Sequence, residues 1–395
     1  MDGPALLAIG APLIGIAAVW VVGRDGDDPV PRATDAHATD TADATDGDQA
    51  VAAGPVGVRW LIVCLGATAI VFGTVAIARL FLRGGGFFTV IRFLYHAIVI
   101  AAPIAIIGAA VVLGLRRGLT AGARVLVGLA VATAGVGVYA THIEPWWLRV
   151  DRLDVTTEMA TEETIRIGVL ADIQTRSVGS YEHDAVDRVL DADPDVIIIA
   201  GDVFQGGERE FDVEVDGFAE LMSRLSAPHG VYAVEGNIDR VAWLAEMTEG
   251  TEVQVLVDDI VELDIRGQVV RIGGSRDDWS SDESTDMIDE LARSDPGDLA
   301  ILVSHRPDAV MGLPADSTVD VTISGHTHGG QVVVPFVGPL ITFSDVPRSV
   351  ARGGLHDVSG NLIYQSTGVG LERAGAPQVR FLNRPSIGIL DVTAG

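Results

Sequence analysis

The first part of the chain contains four apolar stretches separated by polar or charged residues. They cover Pro4–Val22, Trp60–Ala78, Ala97–Leu115 and Val125–Ala140. A helix needs about 20 apolar residues to cross a bilayer, and the first three stretches approach that length. We therefore expect four transmembrane helices. The first stretch is interpreted as an anchor, because a cleaved signal would carry a basic segment before it, and Asp2 is the only charge there.

These patterns predict four regions along the chain. Residues 1–23 form the first transmembrane helix, and residues 24–56 form an acidic linker with repeated Ala-Thr-Asp units and almost no large apolar residue. Such a linker cannot bury enough surface to fold and is expected to be disordered. Residues 57–148 hold three further transmembrane helices, and residues 149–395 form a soluble domain.

The soluble region begins a regular alternation of short apolar runs and amphipathic segments near Thr164. Buried strands are predicted from these runs, and helices from segments such as Ala185–Leu190 and Val215–Leu225. Residues Val253–Gly273 alternate around Arg266-Gly267, which indicates a hairpin. The fold class is therefore α/β, a layered β-sheet arrangement flanked by helices and preceded by a helical membrane region. The predicted strands are Ile165–Leu170, Val196–Ala200, Val231–Val234, Ala300–Val303, Val319–Ile323, Leu362–Tyr364 and Ile387–Val392.

Charge and cysteine content narrow the functions open to this chain. It carries 54 acidic residues against 27 basic ones, all of them arginine, and this acidic, lysine-free composition resembles that of proteins from salt-rich cells. An acidic field repels a phosphate backbone, so nucleic acid is not an expected partner. Because Cys64 is the only cysteine, a metal ion would have to be held by Asp, Asn, Gln or His side chains.

Arginines near the ends of the predicted helices bear on which side of the membrane the soluble domain lies. Six arginines flank one side of the predicted helices and five flank the other, so the positive-inside rule does not separate the two orientations. With four crossings both ends lie on the same side. We favour the outer face of the cell membrane, because the weakly charged N-terminus would translocate readily.

Polar residues follow the predicted strands at their carboxyl ends, where open α/β sheets bind ligands. Two carboxylates, one carboxamide and several imidazoles at one sheet edge are ligands for two divalent ions, which can clamp a phosphate and generate hydroxide from a bridging water. The sequence therefore predicts hydrolysis of a phosphoester. The segments are Asp172-Ile173-Gln174, Gly201-Asp202, Gly236-Asn237-Ile238-Asp239, His305, and Gly325-His326-Thr327-His328-Gly329-Gly330-Gln331.

In their residues and their order along the chain these segments resemble the calcineurin-like metallophosphoesterase superfamily, whose pattern is D-x-H, G-D, G-N-H-D, H and G-H-x-H. Ser324–Gln331 is similar to the membrane-associated branch related to UDP-2,3-diacylglucosamine hydrolases. The resemblance covers nearly all of residues 164–392 and implies a metallophosphoesterase fold. It also implies that a lipid-linked compound or a sugar nucleotide could be the phosphate-ester substrate.

The resemblance implies a role for each matching position. Asp202 would bridge two ions, with Asp202, Asn237 and His326 also taking part in catalysis on a phosphomonoester, phosphodiester or pyrophosphate. Manganese is favoured among Mn, Zn, Fe and Mg. The reason is that one ligand position is Gln174, and a glutamine oxygen binds zinc less well than an imidazole does. The ligands would be Asp172, Gln174 and His328 at one site and Asn237, His305 and His326 at the other.

Two positions differ from the family pattern. Gln174 replaces a metal-binding histidine, and its amide oxygen can still coordinate an ion. Ile238 replaces the histidine that contacts the phosphate and assists the leaving group, and loss of such a group costs about 10²- to 10⁴-fold in rate.

Two hypotheses therefore stay open. One is an active, membrane-anchored enzyme in which another group, such as His183, Arg176 or Arg240, replaces the missing histidine. The other is a membrane-tethered domain that binds metal or phosphate without turnover, as a sensor or scaffold. A transporter is a third reading, which the absence of paired ionisable residues in the apolar stretches disfavours. The physiological substrate and the oligomeric state stay open.

Overall fold

The computed structural model describes residue 73 and residues 86–315, 317–373 and 375–395. The chain divides into two compact units, residues Met1–Gly137 and Val138–Gly395. The first two predicted membrane stretches and the acidic linker lie outside the described residues, apart from residue 73. The predicted domain ends therefore stay predictions.

The helical region consists of long apolar helices. Helix α1 (Phe87–His96) continues through a π-helical turn (Ala97–Ala101) into α2 (Ala102–Arg117). This continuous helix ends at Gly118, which has a φ of +75°. Helix α3 spans Ala121–Val138. Among the residues that the structure describes, two helices are long and apolar enough to cross a membrane, Phe87–Val111 and Ala121–Trp146. The predicted stretches Ala97–Leu115 and Val125–Ala140 fall largely within these helices. Each helix begins before its apolar stretch, because a helical backbone also accommodates charged residues such as Arg92 and Arg124.

A six-stranded sheet with the order β1-β14-β2-β3-β4-β5 forms the first layer of the α/β unit. Strands β2 to β5 are parallel, and β14 runs antiparallel to β2 and parallel to β1. Its strands are β1 (Arg149–Thr157), β2 (Ile165–Leu170), β3 (Val196–Ala200), β4 (Val231–Val234), β5 (Val253–Val255) and β14 (Ser386–Ala394).

A second six-stranded sheet has the order β12-β13-β9-β8-β7-β6. Strands β7, β8, β9 and β13 are parallel, with β6 and β12 antiparallel at its edges. Its strands are β6 (Asp259–Ile265), β7 (Gln268–Gly274), β8 (Leu299–Val303), β9 (Val321–Ser324), β12 (Gly354–Val358) and β13 (Asn361–Gln365). A separate pair joins β10 (Val333–Val334) to β11 (Gly338–Pro339).

The sheets pack face to face and helices cover their outer faces. Alternate residues of β3 show this division, since Ile198 faces the core between the sheets while Ile197 and Ile199 join the core under the helices. The first sheet is covered by α4 (Ser180–Leu190), α5 (Glu208–Ser223) and α6 (Val241–Thr248). The second is covered by α7 (Asp282–Leu291), a 3-10 turn (Pro307–Gly312) and α8 (Arg348–Ala351). The predicted fold class, a β-sheet sandwich flanked by helices and preceded by apolar helices, is confirmed.

One prediction differs from the structure in detail. The alternating segment Val253–Gly273 does not form one hairpin, because Val253–Val255 pairs with β4 in the first sheet. The hairpin consists of β6 and β7 in the second sheet, with its turn at Arg266-Gly267 as expected. The chain thus passes from one layer to the other at residues 256–258.

Candidate metal centre

The predicted ligands follow strands of both sheets. Those after β2, β3 and β4 come from the first sheet, and those after β8 and β9 come from the second. Five of these residues take left-handed backbone, which costs free energy in a non-glycine residue and concentrates at functional sites. They are Asp172, Gln174, Asp202, His326 and His328, with φ between 40° and 73°.

Three of the predicted ligands form the centre of this cluster. The ligand atoms of Asp172, Asp202 and His305 all lie within 4.8 Å of one another, and all three side chains are buried. His305 Nε2 lies 3.3 Å from Asp202 Oδ2. The other ring nitrogen, Nδ1, lies 2.8 Å from the carbonyl oxygen of Ala200, which accepts its proton and directs Nε2 towards the carboxylates.

Asn237 and His326 extend the cluster towards solvent. The Asn237 side-chain oxygen lies 3.2 Å from His305 Nε2 and 2.7 Å from His326 Nδ1. The backbone N–H of His326 donates to Asp172 Oδ1 at 2.9 Å, so the loop after β9 is held directly against the loop after β2. The structure therefore brings together these five predicted residues from both sheets.

Two further predicted ligands, His328 and Gln174, have buried atoms without hydrogen-bond partners among the described residues. His328 Nε2 is 3.8 Å from Asp172 Oδ1. Among the residues that the structure describes, no hydrogen bond satisfies either ring nitrogen of His328, Asp172 Oδ2 or Gln174 Oε1. Buried polar atoms are normally satisfied, so these atoms are available to an external partner. Carboxylate, imidazole and amide donors together fit a divalent metal ion.

Glu372 fixes the Gln174 amide and was not identified from the sequence. Its Oε2 accepts from Gln174 Nε2 at 3.3 Å, and its Oε1 accepts from Gln205 Nε2 at 2.8 Å. With its NH₂ group held by a carboxylate, Gln174 retains its oxygen as the atom that can bind a cation. This geometry supports the amide oxygen as a ligand in place of histidine.

Electrostatics in the cluster favour bound positive charge. Burial, together with the neighbouring Asp202 charge, raises the pKa of Asp172 to about 7. Burial opposes charge on Asp202 and His305 too, but their mutual attraction outweighs it, lowering the pKa of Asp202 and raising that of His305 to about 10. The same carboxylates that favour a proton on His305 favour a divalent cation.

The two histidines of the Gly-His-Thr-His segment are neutral, the form that ligates metal. Burial lowers the pKa of His326 to about 4, with further lowering by the positive charges of His305 and Arg306. Burial also lowers the pKa of His328 well below its usual value.

Asp239 organises the loops beneath the cluster, a role that the sequence reading did not assign. It accepts hydrogen bonds from the backbone N–H groups of Asp202 at 2.7 Å, Val203 at 2.9 Å and Gly236 at 2.9 Å. Gly236 is required here, because a Cβ would lie 2.0 Å from Asp202 Oδ1. The Gly-Asn-x-Asp spacing was the available signal.

Ile238 keeps one contact of the loop but offers no polar side chain. Its backbone N–H donates to Asp202 Oδ1 at 3.1 Å. The position thus helps hold the predicted bridging carboxylate, while a proton donor for a leaving group must come from elsewhere.

The three residues considered as replacements for the missing histidine interact outside the cluster. His183 Nδ1 lies 2.7 Å from the Arg224 guanidinium, and Arg176 lies 3.7 Å from a carboxylate oxygen of Glu210. Arg240 stacks on Trp243 at 4.1 Å. These contacts give no support to any of the three as a replacement.

Arg306 is a cation beside the cluster that the sequence reading missed. Its NH1 group lies 3.4 Å from His326 Nε2, and Asp277 holds the guanidinium through two hydrogen bonds, of 2.8 and 3.1 Å. The signal was its position directly after His305. A fixed guanidinium at this place can attract and orient an anion.

Residues 165–330 match the family model described as calcineurin-like phosphoesterase. The chain is 29% identical over 252 residues to a protein of Caenorhabditis elegans named as a metallophosphoesterase, covering 59% of this chain and half of that relative. It is 28% identical over 267 residues to an uncharacterized metallophosphoesterase of Aquifex aeolicus, covering 65% and 96% of the two chains. It is 26% identical over 252 residues to the phosphodiesterase YaeI of Escherichia coli, covering 61% and 88%.

These matches support the calcineurin-like metallophosphoesterase superfamily for the α/β unit. The family-model match spans the ligand-bearing loops, from Asp172 to His328. They also support a phosphoester hydrolase that uses divalent metal ions.

Proposed function

We propose that the protein is a membrane-anchored phosphohydrolase that uses two divalent metal ions to cleave a phosphate ester or pyrophosphate. The observation that carries this proposal is the convergence of Asp172, Asp202 and His305, beside buried polar atoms that have no hydrogen-bond partner among the described residues. Divalent ions in such a site supply Lewis acidity and lower the pKa of bound water towards neutrality.

The predicted ligands would then form two adjoining metal sites. Asp202 would bridge the ions, with Asp172, Gln174 and His328 holding one and Asn237, His305 and His326 holding the other. Asn237 and His326 border the more exposed side, where substrate would enter. We assign Arg306 the electrostatic part of the role left by Ile238, because a guanidinium can stabilise charge on a phosphate without transferring a proton.

The direct test measures metal content and hydrolysis together in the full chain. Wild-type protein purified in detergent with manganese should contain bound metal and cleave bis(p-nitrophenyl) phosphate, whose leaving group needs little protonation. Asp202→Asn should lose metal by elemental analysis and lose activity, while Asp212→Asn, the same substitution at an exposed aspartate of α5, should retain both. Equal metal content in wild type and Asp202→Asn would refute the bridge.

The metal preference rests on Gln174. Its neutral oxygen favours manganese or magnesium over zinc, so Gln174→His should raise zinc affinity about tenfold. Competition with a zinc chelator measures this change, and an unchanged affinity would exclude Gln174 from the ligand set.

A non-catalytic metal or phosphate sensor is the second candidate, and Ile238 is the observation that favours it. An Ile238→His variant distinguishes the two. For an enzyme, the variant should increase cleavage of a poor leaving group by about 10²- to 10⁴-fold. Absence of hydrolysis in both proteins, with metal bound, would indicate a sensor or scaffold.

Membrane attachment is supported by the two apolar helices. We propose a multi-pass arrangement with the α/β unit on the outer face, following the sequence argument given above. The substrate would be a lipid-linked compound or a sugar nucleotide, which is the substrate class suggested by the resemblance to UDP-2,3-diacylglucosamine hydrolases.

A further inference from the structure

An uncharged segment follows the Gly-His-Thr-His loop. No acidic or basic residue occurs from Gly329 to Ser344, in a chain otherwise rich in carboxylates. Strands β10 and β11 fold this segment into a hairpin, which we call the apolar hairpin (residues 331–343). Phe336 at its tip is fully exposed at 108%, and Val337 and Leu340 are more than half exposed. Exposed apolar clusters of this kind mark interaction surfaces.

The root of the apolar hairpin lies beside the end of the second apolar helix. Gln331 and Val333 exchange backbone hydrogen bonds of 2.9 Å with Phe381. The Phe381 ring contacts the Tyr139 ring at 6.4 Å, and the Arg380 N–H donates to the carbonyl of Ala140 at 2.9 Å. Tyr139 and Ala140 belong to the last turns of the candidate span Ala121–Trp146.

The short length of the apolar hairpin keeps its tip close to the helix end. Phe336 is three positions after Val333, and a strand rises about 3.3 Å per residue, so the tip extends about 10 Å beyond the root. Trp146 and Trp147, both about half exposed, follow at the end of the same helix. Tryptophan is enriched where membrane helices leave the bilayer.

The apolar hairpin also contacts the candidate metal centre. The carbonyl oxygen of Phe343 lies 3.2 Å from His326 Nε2. Gly330 in the ligand loop packs so closely on Pro339 that a Cβ would lie 2.4 Å from the proline side chain. The position of the apolar hairpin is therefore coupled to the loop that carries His326 and His328.

We propose that the tip of the apolar hairpin inserts into the bilayer interface beside the membrane helix, and that the substrate is an amphiphile whose phosphate lies at the bilayer surface. This inference rests on the proposed function and specifies its substrate class. Moving phenylalanine, valine and leucine side chains from water into the interface lowers the free energy of the system. The lack of carboxylates here also removes repulsion from anionic lipids.

A second copy of the chain could also cover these side chains. The bilayer is the occupant we favour, because the apolar hairpin begins at the residues that pack on the end of the candidate span. The two occupants differ in whether lipid tails reach residue 336.

Fluorescence quenching in vesicles tests the location directly, without requiring activity. In a Cys64→Ser background, Phe336→Cys carries an environment-sensitive label, and the full chain is reconstituted with brominated phosphatidylcholine. Val213→Cys is the matched control, because Val213 is a 77% exposed apolar residue on α5. We expect label emission at 336 to fall about twofold relative to unbrominated lipid, with little change at 213.

Two results would overturn the proposal. Equal responses at 336 and 213 would place the tip in water. A label at 336 that is shielded from water but not quenched by bromine would place it against protein, such as a second copy.

Substrate class is tested with two phosphodiesters that share one leaving group. The double variant Phe336→Ser/Val337→Ser, confined to the tip and away from the residues that pack on Gly330, should cleave hexadecyl p-nitrophenyl phosphate in vesicles about tenfold more slowly than wild type. It should cleave soluble bis(p-nitrophenyl) phosphate at the wild-type rate, and Val213→Ser should cleave both normally. A loss of equal size on both diesters, or no loss on either, would overturn the substrate class.

The two proposals can fail separately. If wild-type protein with bound metal cleaves neither diester, the proposed hydrolase function fails, while the quenching result still decides where the apolar hairpin lies.

Discussion

The two edges of the first sheet each carry a buried or partly buried aspartate, and the two aspartates differ in their hydrogen-bond partners. At the carboxyl edge, Asp172 has an oxygen without a hydrogen-bond partner among the described residues, and burial raises its pKa to about 7. At the amino edge, directly before β3, Asp195 accepts from the Arg166 backbone N–H at 2.8 Å and from both terminal nitrogens of Arg266 at 2.6 and 2.8 Å. Burial opposes its charge, but these donors outweigh burial and lower its pKa.

This difference separates binding from stability. A carboxylate whose partners are all within the protein stabilises the fold, whereas one with an unsatisfied oxygen is available for an external cation. The amino edge should therefore control unfolding and the carboxyl edge should control activity.

The largest expected effect is on hydrolysis when the carboxyl edge is changed. Asp172→Asn retains an oxygen for the His326 N–H but loses the negative charge, so kcat/KM should fall by roughly 10³-fold, equivalent to about 4 kcal/mol. Its resistance to unfolding without metal should equal or exceed that of wild type, because a desolvated carboxylate is removed. A variant with near-normal kcat/KM would contradict the assignment.

Metal removal should have the next largest effect, and on stability. An ion present at 100 times its dissociation constant stabilises the folded state by about 2.7 kcal/mol. A chelator should therefore lower the melting temperature of the α/β unit by about 8 °C. Tryptophan fluorescence of the detergent-solubilised chain measures this change. Asp172→Asn should show little response, and a similar shift in both proteins would mean that the ion binds elsewhere.

Changing the amino edge should reverse the pattern. Asp195→Asn loses ionic hydrogen bonds to Arg266, so the free energy of unfolding should fall by about 1 to 2 kcal/mol after allowance for solvent screening. Hydrolysis of the aryl diester should be unaffected. Reduced kcat with unchanged stability would show that the two edges do not act separately.

The smallest effect is the pH dependence of that stabilisation. Because the folded pKa of Asp195 is below its unfolded value of about 3.9, its contribution is present above that pH and is lost as pH falls through the folded pKa. The difference in unfolding free energy between wild type and Asp195→Asn should therefore shrink between pH 6 and pH 3, as measured by denaturant titration. A constant difference would mean that Arg266 contributes nothing through charge.

Sequence patterns predicted the inner strands of the fold well. Runs such as Ile165–Leu170 and Val196–Ala200 agree with the observed strands because both faces of these strands are buried, which leaves a continuous apolar signal. Strand β1 (Arg149–Thr157) was missed, because its partly exposed edge position permits the charged residues Arg149, Asp151 and Asp154.

For the candidate site, motif order predicted which residues lie near one another but not how they are held. Asp239, Arg306 and Glu372 act through contacts with loops distant in sequence, and a linear pattern does not show such contacts. The left-handed backbone conformation of Asp172 and Asp202 could not be predicted either. Aspartate can adopt this conformation, so no glycine marks these positions in the sequence.

The division of the ligands between two sheets has a mechanical consequence. Asp202 follows a strand of one layer and His305 a strand of the other, so their 3.3 Å separation depends on how the layers are aligned. Ile198 and Ile301 belong to the core that fixes this alignment. Truncating either isoleucine would loosen the contact between the two sheets. A substitution in the apolar core would then change the distance between Asp202 and His305 at the sheet edge.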